Sequence, residues 1–69
     1  MEYEEFKDKF DKLLSMSKYN WVILNNTNST IKANNYKKCS NNGVEDIIRL
    51  YYTHNLVAYL DLDDIKEIV

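Results

Sequence analysis

Two side chains, His54 and Cys39, are each the only one of their kind in the sequence, and both have chemistry that enzymes use. Histidine is the ordinary acid–base group near neutral pH, and a thiolate is a nucleophile or a soft metal ligand. Neither has its complement. His54 falls between two β-type runs, at the tip of an expected hairpin, with no Cys or Ser held rigidly beside it. Cys39 follows Lys37 and Lys38 in a stretch (36–39) that reads as loop or short strand. A cysteine nucleophile needs a base and an oxyanion hole, and no residue pattern here supplies either.

Other chemistries fare no better. One Cys and one His cannot build a four-ligand zinc set. Asp61, Asp63 and Asp64, with Glu67 nearby, form an acidic corner, but a calcium loop needs further oxygen ligands at fixed offsets and a glycine at its sixth position. Gly43 is the only glycine, so no glycine-rich phosphate loop is available. The chain is therefore expected to be non-enzymatic and to use no cofactor or metal.

Binding is the class that remains, and charge is its first guide. The net charge is −2, which disfavours general binding to phosphate backbones. Its distribution is uneven: residues 17–43 carry four lysines and no acid, while the flanking segments are net acidic. Lys18, Lys32, Tyr36, Lys37 and Lys38 would be the elements of a single-strand nucleic-acid patch, where aromatic rings stack on bases between cations. Four lysines are few for that role, so nucleic acid is the runner-up partner.

The elements that must position these residues can be read from periodicity. Tyr3, Phe6, Phe10, Leu13 and Leu14 form one helical stripe, predicting an amphipathic helix over 2–16 with Glu2, Glu4 and Glu5 in its first turn. From residue 19 onward the pattern is β-type, giving one domain over 1–69 with its sheet over 19–69. Residues 19–25 read as a strand with Trp21 in the core, 25–29 as an Asn-rich turn, and 30–33 as a short strand. Asn34-Asn35 reads as a tight turn, and Asn41-Asn42-Gly43 as the strongest turn signal in the chain.

The segments 46–52 and 56–62 read as a hairpin. A three-residue loop, Thr53-His54-Asn55, pairs Tyr52 with Leu56, Leu50 with Ala58 and Ile48 with Leu60, making one face wholly apolar. The tail 63–69 reads either as a helical turn or as a turn followed by a short strand, and the β-branched Ile68-Val69 favours the strand. The expected fold is α+β: an N-terminal helix packed on a small antiparallel sheet of three to five strands, with a C-terminal hairpin.

A short helix covers one face of a sheet. The other face would carry Ile47, Arg49, Tyr51, Val57 and Tyr59, with Tyr51 opposite Val57 and Arg49 opposite Tyr59. Tyr and Arg are enriched where partners bind tightly, so this face is the expected site for a protein partner. A chain this short has a thin stability margin and no disulfide to support it, so a homodimer burying the same face is a third reading. A sequence beginning Met-Glu-Tyr-Glu-Glu lacks the basic and apolar run of a signal peptide, and no apolar run is long enough for a membrane. The expected setting is cytoplasmic. AT-rich codon usage (many Asn, Lys, Ile and Tyr, no Pro), tiny size and no visible active site fit a phage or mobile-element protein that blocks a host defence enzyme by surface occlusion, anti-CRISPR-like.

Overall fold

The helical stripe buries as its spacing requires. The computed structural model describes residues 1–25, 27, 29–41 and 44–69. In it α1 spans Tyr3–Leu14, with Glu2 as the extended residue before it, Glu4 and Glu5 in its first turn and Lys12 in its last. Phe6 and Phe10 are fully buried, and Tyr3, Leu13 and Leu14 pack half-buried around them. Truncating either phenylalanine to alanine would cost about 3–5 kcal/mol.

Six strands follow among the described residues: β1 (Asn20–Leu24), β2 (Thr30–Ala33), β3 (Asn35–Asn41), β4 (Val44–Tyr52), β5 (Asn55–Asp61) and β6 (Ile65–Ile68). They form two antiparallel three-stranded sheets, β2-β1-β6 and β3-β4-β5. The fold is α+β as expected, with the strands divided between two sheets. Phe6, Phe10, Val22, Ala33, Ile48, Leu50, Leu62, Ile65 and Ile68 form one core, drawn from the helix, both sheets and the turn before β6.

Asn34 explains the division. The expected tight turn at Asn34-Asn35 does not form; Asn34 is the single residue between β2 and β3, and the chain passes through it from one sheet into the other. Its N–H donates to the Tyr51 carbonyl at 2.9 Å, and its side-chain oxygen accepts the Thr53 N–H at 3.2 Å. A strand that bends to serve two sheets is a common way to make a corner between them. Residues 36–39 are consequently strand. The expected Asn41-Asn42-Gly43 turn lies partly outside the described residues.

β1 corrects the placement of Trp21. Alternation turns Asn20 and Val22 inward and Trp21 outward, where it is 39% exposed. Asn20 takes the buried position, opposite Ala33, and its amide donates to the Phe10 carbonyl at 3.0 Å. That bond ties sheet to helix and spares the 1–3 kcal/mol that an unpaired buried amide would cost.

At the end of the chain, Leu62–Asp64 makes one 3-10 turn, and Ile65–Ile68 then runs as a strand beside β1. The Asp61 carboxylate accepts the Asp63 N–H at 2.9 Å, and Leu62 drops into the core. The strand reading of the tail holds. None of the described helices is long and apolar enough to cross a membrane.

Candidate functional site: the outer face of the β4–β5 hairpin

β4 alternates between two environments. Ile48 and Leu50 are fully buried, whereas Ile47, Arg49 and Tyr51 point to the other side. Pairing with β5 places Ile48 opposite Leu60, Arg49 opposite Tyr59 and Leu50 opposite Ala58, the register expected from the apolar pattern.

The turn that produces this register differs from the expected one. Tyr52 pairs with Asn55, so the loop has two residues, Thr53 and His54, and both have positive φ (52° and 69°). Two successive left-handed residues match the twist of the flanking strands. Such a loop alone would shift every later pair by one residue and turn apolar side chains outward. An irregularity between Leu50 and Tyr51 repairs the frame, leaving Val57 as an extra residue on β5.

The bulge has a surface consequence. Leu56, expected on the core face opposite Tyr52, instead pairs with Tyr51 and is 56% exposed. Val57, expected opposite Tyr51, is the bulge residue and is 45% exposed; Tyr59 is 48% exposed. The Arg49 guanidinium lies 5.6 Å from the centre of the Tyr59 ring. Tyr51 and Ile47 are half-buried beside them. Ile47, Arg49, Tyr51 and Tyr59 thus share one face, Leu56, expected inside, joins them, and Val57 is exposed at the bulge next to it. Recognising the bulge would have required knowing that Thr-His forms a turn usually made by Asn-Gly.

Across β4 from Tyr59 lies β3, where Lys37 pairs with Arg49 and Asn35 with Tyr51. Like charges directly opposite on adjacent strands are unfavourable. Near the hairpin tip, Asn35, Tyr36, Lys37, Tyr51 and His54 line a mostly polar hollow of about 290 Å³.

The lysine-bearing segment is not gathered into one patch. Lys37 sits on the outer face of β3, while Lys38, the next residue along the strand, lies 4.7 Å from the Tyr3 ring of the helix. Lys32 belongs to the other sheet, its ammonium 4.3 Å from the Tyr19 ring and 4.8 Å from the Tyr52 ring. Lys18 is exposed in the connection after α1. Tyr36 is structural: its ring packs edge-on to Phe6 and Phe10 at 5.2 and 5.0 Å, and its hydroxyl donates to the Asp11 carboxylate at 3.1 Å. Burial, then the bond to Asp11, pushes its phenol well above the ordinary tyrosine range.

The residues first considered for chemistry stand apart. His54 is exposed at the hairpin tip, and Cys39 is half-buried within β3, its Sγ 3.7 Å from the Ile47 carbonyl. Asp61 caps the 3-10 turn, and Asp63 lies 3.9 Å from the Met1 amino group. Among the described residues, no three His, Cys, Asp or Glu side chains converge as a metal site.

A second apolar surface escaped pattern reading. Leu13, Met16, Trp21 and Val69 line a groove of about 480 Å³ between the end of α1 and sheet β2-β1-β6. Strict alternation about the buried Val22 would have placed Trp21 there.

No protein-family model, curated protein or solved structure matches this chain.

Proposed function

We propose that the chain is a non-catalytic protein-binding module that docks a partner on the outer face of the β4–β5 hairpin. One observation carries this reading: Leu56, Val57 and Tyr59 are large apolar side chains left exposed on a single strand, beside Tyr51 and Arg49. Single exposed apolar residues are common on protein surfaces; a contiguous set with Tyr and Arg is the composition of an interface centre. β5 is also the last strand of its sheet, so its outer backbone edge adds a second means of holding an extended segment. Such a module acts by occluding whatever surface it covers, as an inhibitor of an enzyme or assembly would.

Affinity capture with the tagged chain, followed by mass spectrometry, tests this. Wild-type chain should retain a partner that Tyr59→Ala and Val57→Ser both release, while circular dichroism shows the fold intact. Retention by both variants would place the interface elsewhere, with the Trp21 groove the next surface to probe. Light scattering separates this reading from a homodimer that buries the same face, since a monomer mass is expected at micromolar concentration.

A further inference from the structure

We infer that the polar hollow at the hairpin tip is a carboxylate-binding subsite, so that the partner presents an aspartate or glutamate side chain there. The inference rests on the protein-docking reading of this face and names the chemistry of what docks.

Two local rules of strand design are broken at this one place. The first is the turn. A two-residue loop with both φ values positive is the position where Asn-Gly is preferred, because a Cβ disfavours that conformation. Here it is filled by the β-branched Thr53 (φ 52°) and by His54 (φ 69°). The conformation is held from outside the turn, by the Asn34 side chain on the Thr53 N–H. The second is the facing pair of cations, Lys37 and Arg49. Among the side chains that the structure describes, neither forms an ion pair with an acid. Asp61, which pairs with Ile47 on the neighbouring strand, has its carboxylate turned to the 3-10 cap.

Places where a sequence departs from local preference without structural return are where function is to be sought. Both departures serve one end. The strained turn sets His54 beside the hollow, and Lys37 lines it with Arg49 on the adjacent strand, two cations within a chain that is acidic overall. Of its five lining residues, Lys37, Tyr51, Asn35 and His54 carry side chains able to donate, and the Tyr36 hydroxyl is already bonded to Asp11. A carboxylate would accept from several of them and relieve the repulsion between Lys37 and Arg49.

The spacing also defines the segment. β3 and β5 are two strand intervals apart, about 10 Å. An extended segment crossing the face would therefore carry its acid two to four residues from the apolar side chain that meets Leu56, Val57 and Tyr59.

The experiment is a two-dimensional amide NMR titration of the intact chain with acetyl-glutamate methylamide at millimolar concentration. Acetyl-glutamine methylamide and inorganic phosphate serve as parallel probes. The glutamate probe should shift the amides of Asn35, Lys37, Tyr51, Thr53 and His54, and its apparent affinity should fall at least fivefold in Lys37→Gln and in His54→Gly. Equal shifts with the glutamine probe, or none at these residues, would overturn the subsite. Stronger shifts with phosphate would overturn its assignment to a carboxylate. The docking reading fails separately: if Tyr59→Ala abolishes partner capture and Lys37→Gln leaves it unchanged, the face stands and the subsite falls.

Discussion

The outer sides of the two sheets use the same residue types to different ends. On β2-β1-β6, Lys32 lies between the Tyr19 and Tyr52 rings, which stand perpendicular to each other with centres 6.1 Å apart, and Trp21 closes edge-on against Tyr19 at 5.8 Å. Cation and aromatics there satisfy one another. On β3-β4-β5, Lys37 faces Arg49, Arg49 reaches only the Tyr59 ring at a longer 5.6 Å, and Leu56 and Val57 touch water. Composition alone does not separate the two faces. What separates them is the company their lysines keep: Lys32 lies against two rings, whereas Lys37 faces another cation.

The sharpest way to break this comparison is to ask whether the second face supports the fold at all. Ile48→Ala on its inner side should lower unfolding free energy by about 2–4 kcal/mol, because it opens a cavity in the core. Tyr59→Ala on its outer side should change it by less than about 1 kcal/mol. Urea unfolding of both variants measures the contrast, and a large loss from Tyr59→Ala would make that face structural.

Next in size is the turn. Replacing Thr53 and His54 together by Asn and Gly should raise stability by about 1–2 kcal/mol, since the left-handed penalty disappears. A gain in thermal midpoint accompanied by weaker partner capture is the expected pair of results. No gain would mean the turn is unstrained.

Tyr36→Phe removes the hydroxyl bond to Asp11 and should cost about 1 kcal/mol. It should also change the response to base. The folded state holds this phenol neutral, so its contribution is complete below the ordinary tyrosine pKa of about 10 and is lost as pH rises from there toward its own higher value. Thermal midpoints measured from pH 8 to 11 should therefore fall less steeply in Tyr36→Phe than in wild type.

The smallest effects compare the two lysines directly. Lys32→Ala should cost about 0.5–1 kcal/mol through loss of contact with two rings. Lys37→Ala should be neutral or slightly stabilising, because it separates facing cations. Matched thermal scans at low salt would show the sign.

Much of this architecture was legible beforehand. The spacing of Tyr3, Phe6, Phe10 and Leu13 determined the buried side of the helix, and the alternation of Ile48 and Leu50 against Arg49 and Tyr51 determined the hairpin register and the candidate face. The failures have physical causes. Asn34-Asn35 carries a turn signal, yet Asn34 uses its side chain to hold Thr53 across the corner, a contact between residues nineteen apart that local reading does not reach. Thr-His lacks the residues that announce a tight turn, so the bulge that compensates for it, and with it the exposure of Leu56, stayed hidden. Trp21, expected inside, lies outward because the strand period about Val22 overrides its hydrophobicity; Asn20 fits inside because the Phe10 carbonyl accepts its amide.

The bend at Asn34 has one more consequence, for cooperativity. A single uninterrupted run of backbone, residues 30–41, supplies an edge to each sheet, so neither can open without pulling on the register of the other. Two three-stranded sheets on separate segments would form two small units, each near the lower limit of independent stability. Joined through one corner residue and a common core, they should gain and lose structure as a single unit, so that a load applied where a partner grips the hairpin is shared by the sheet on the far side.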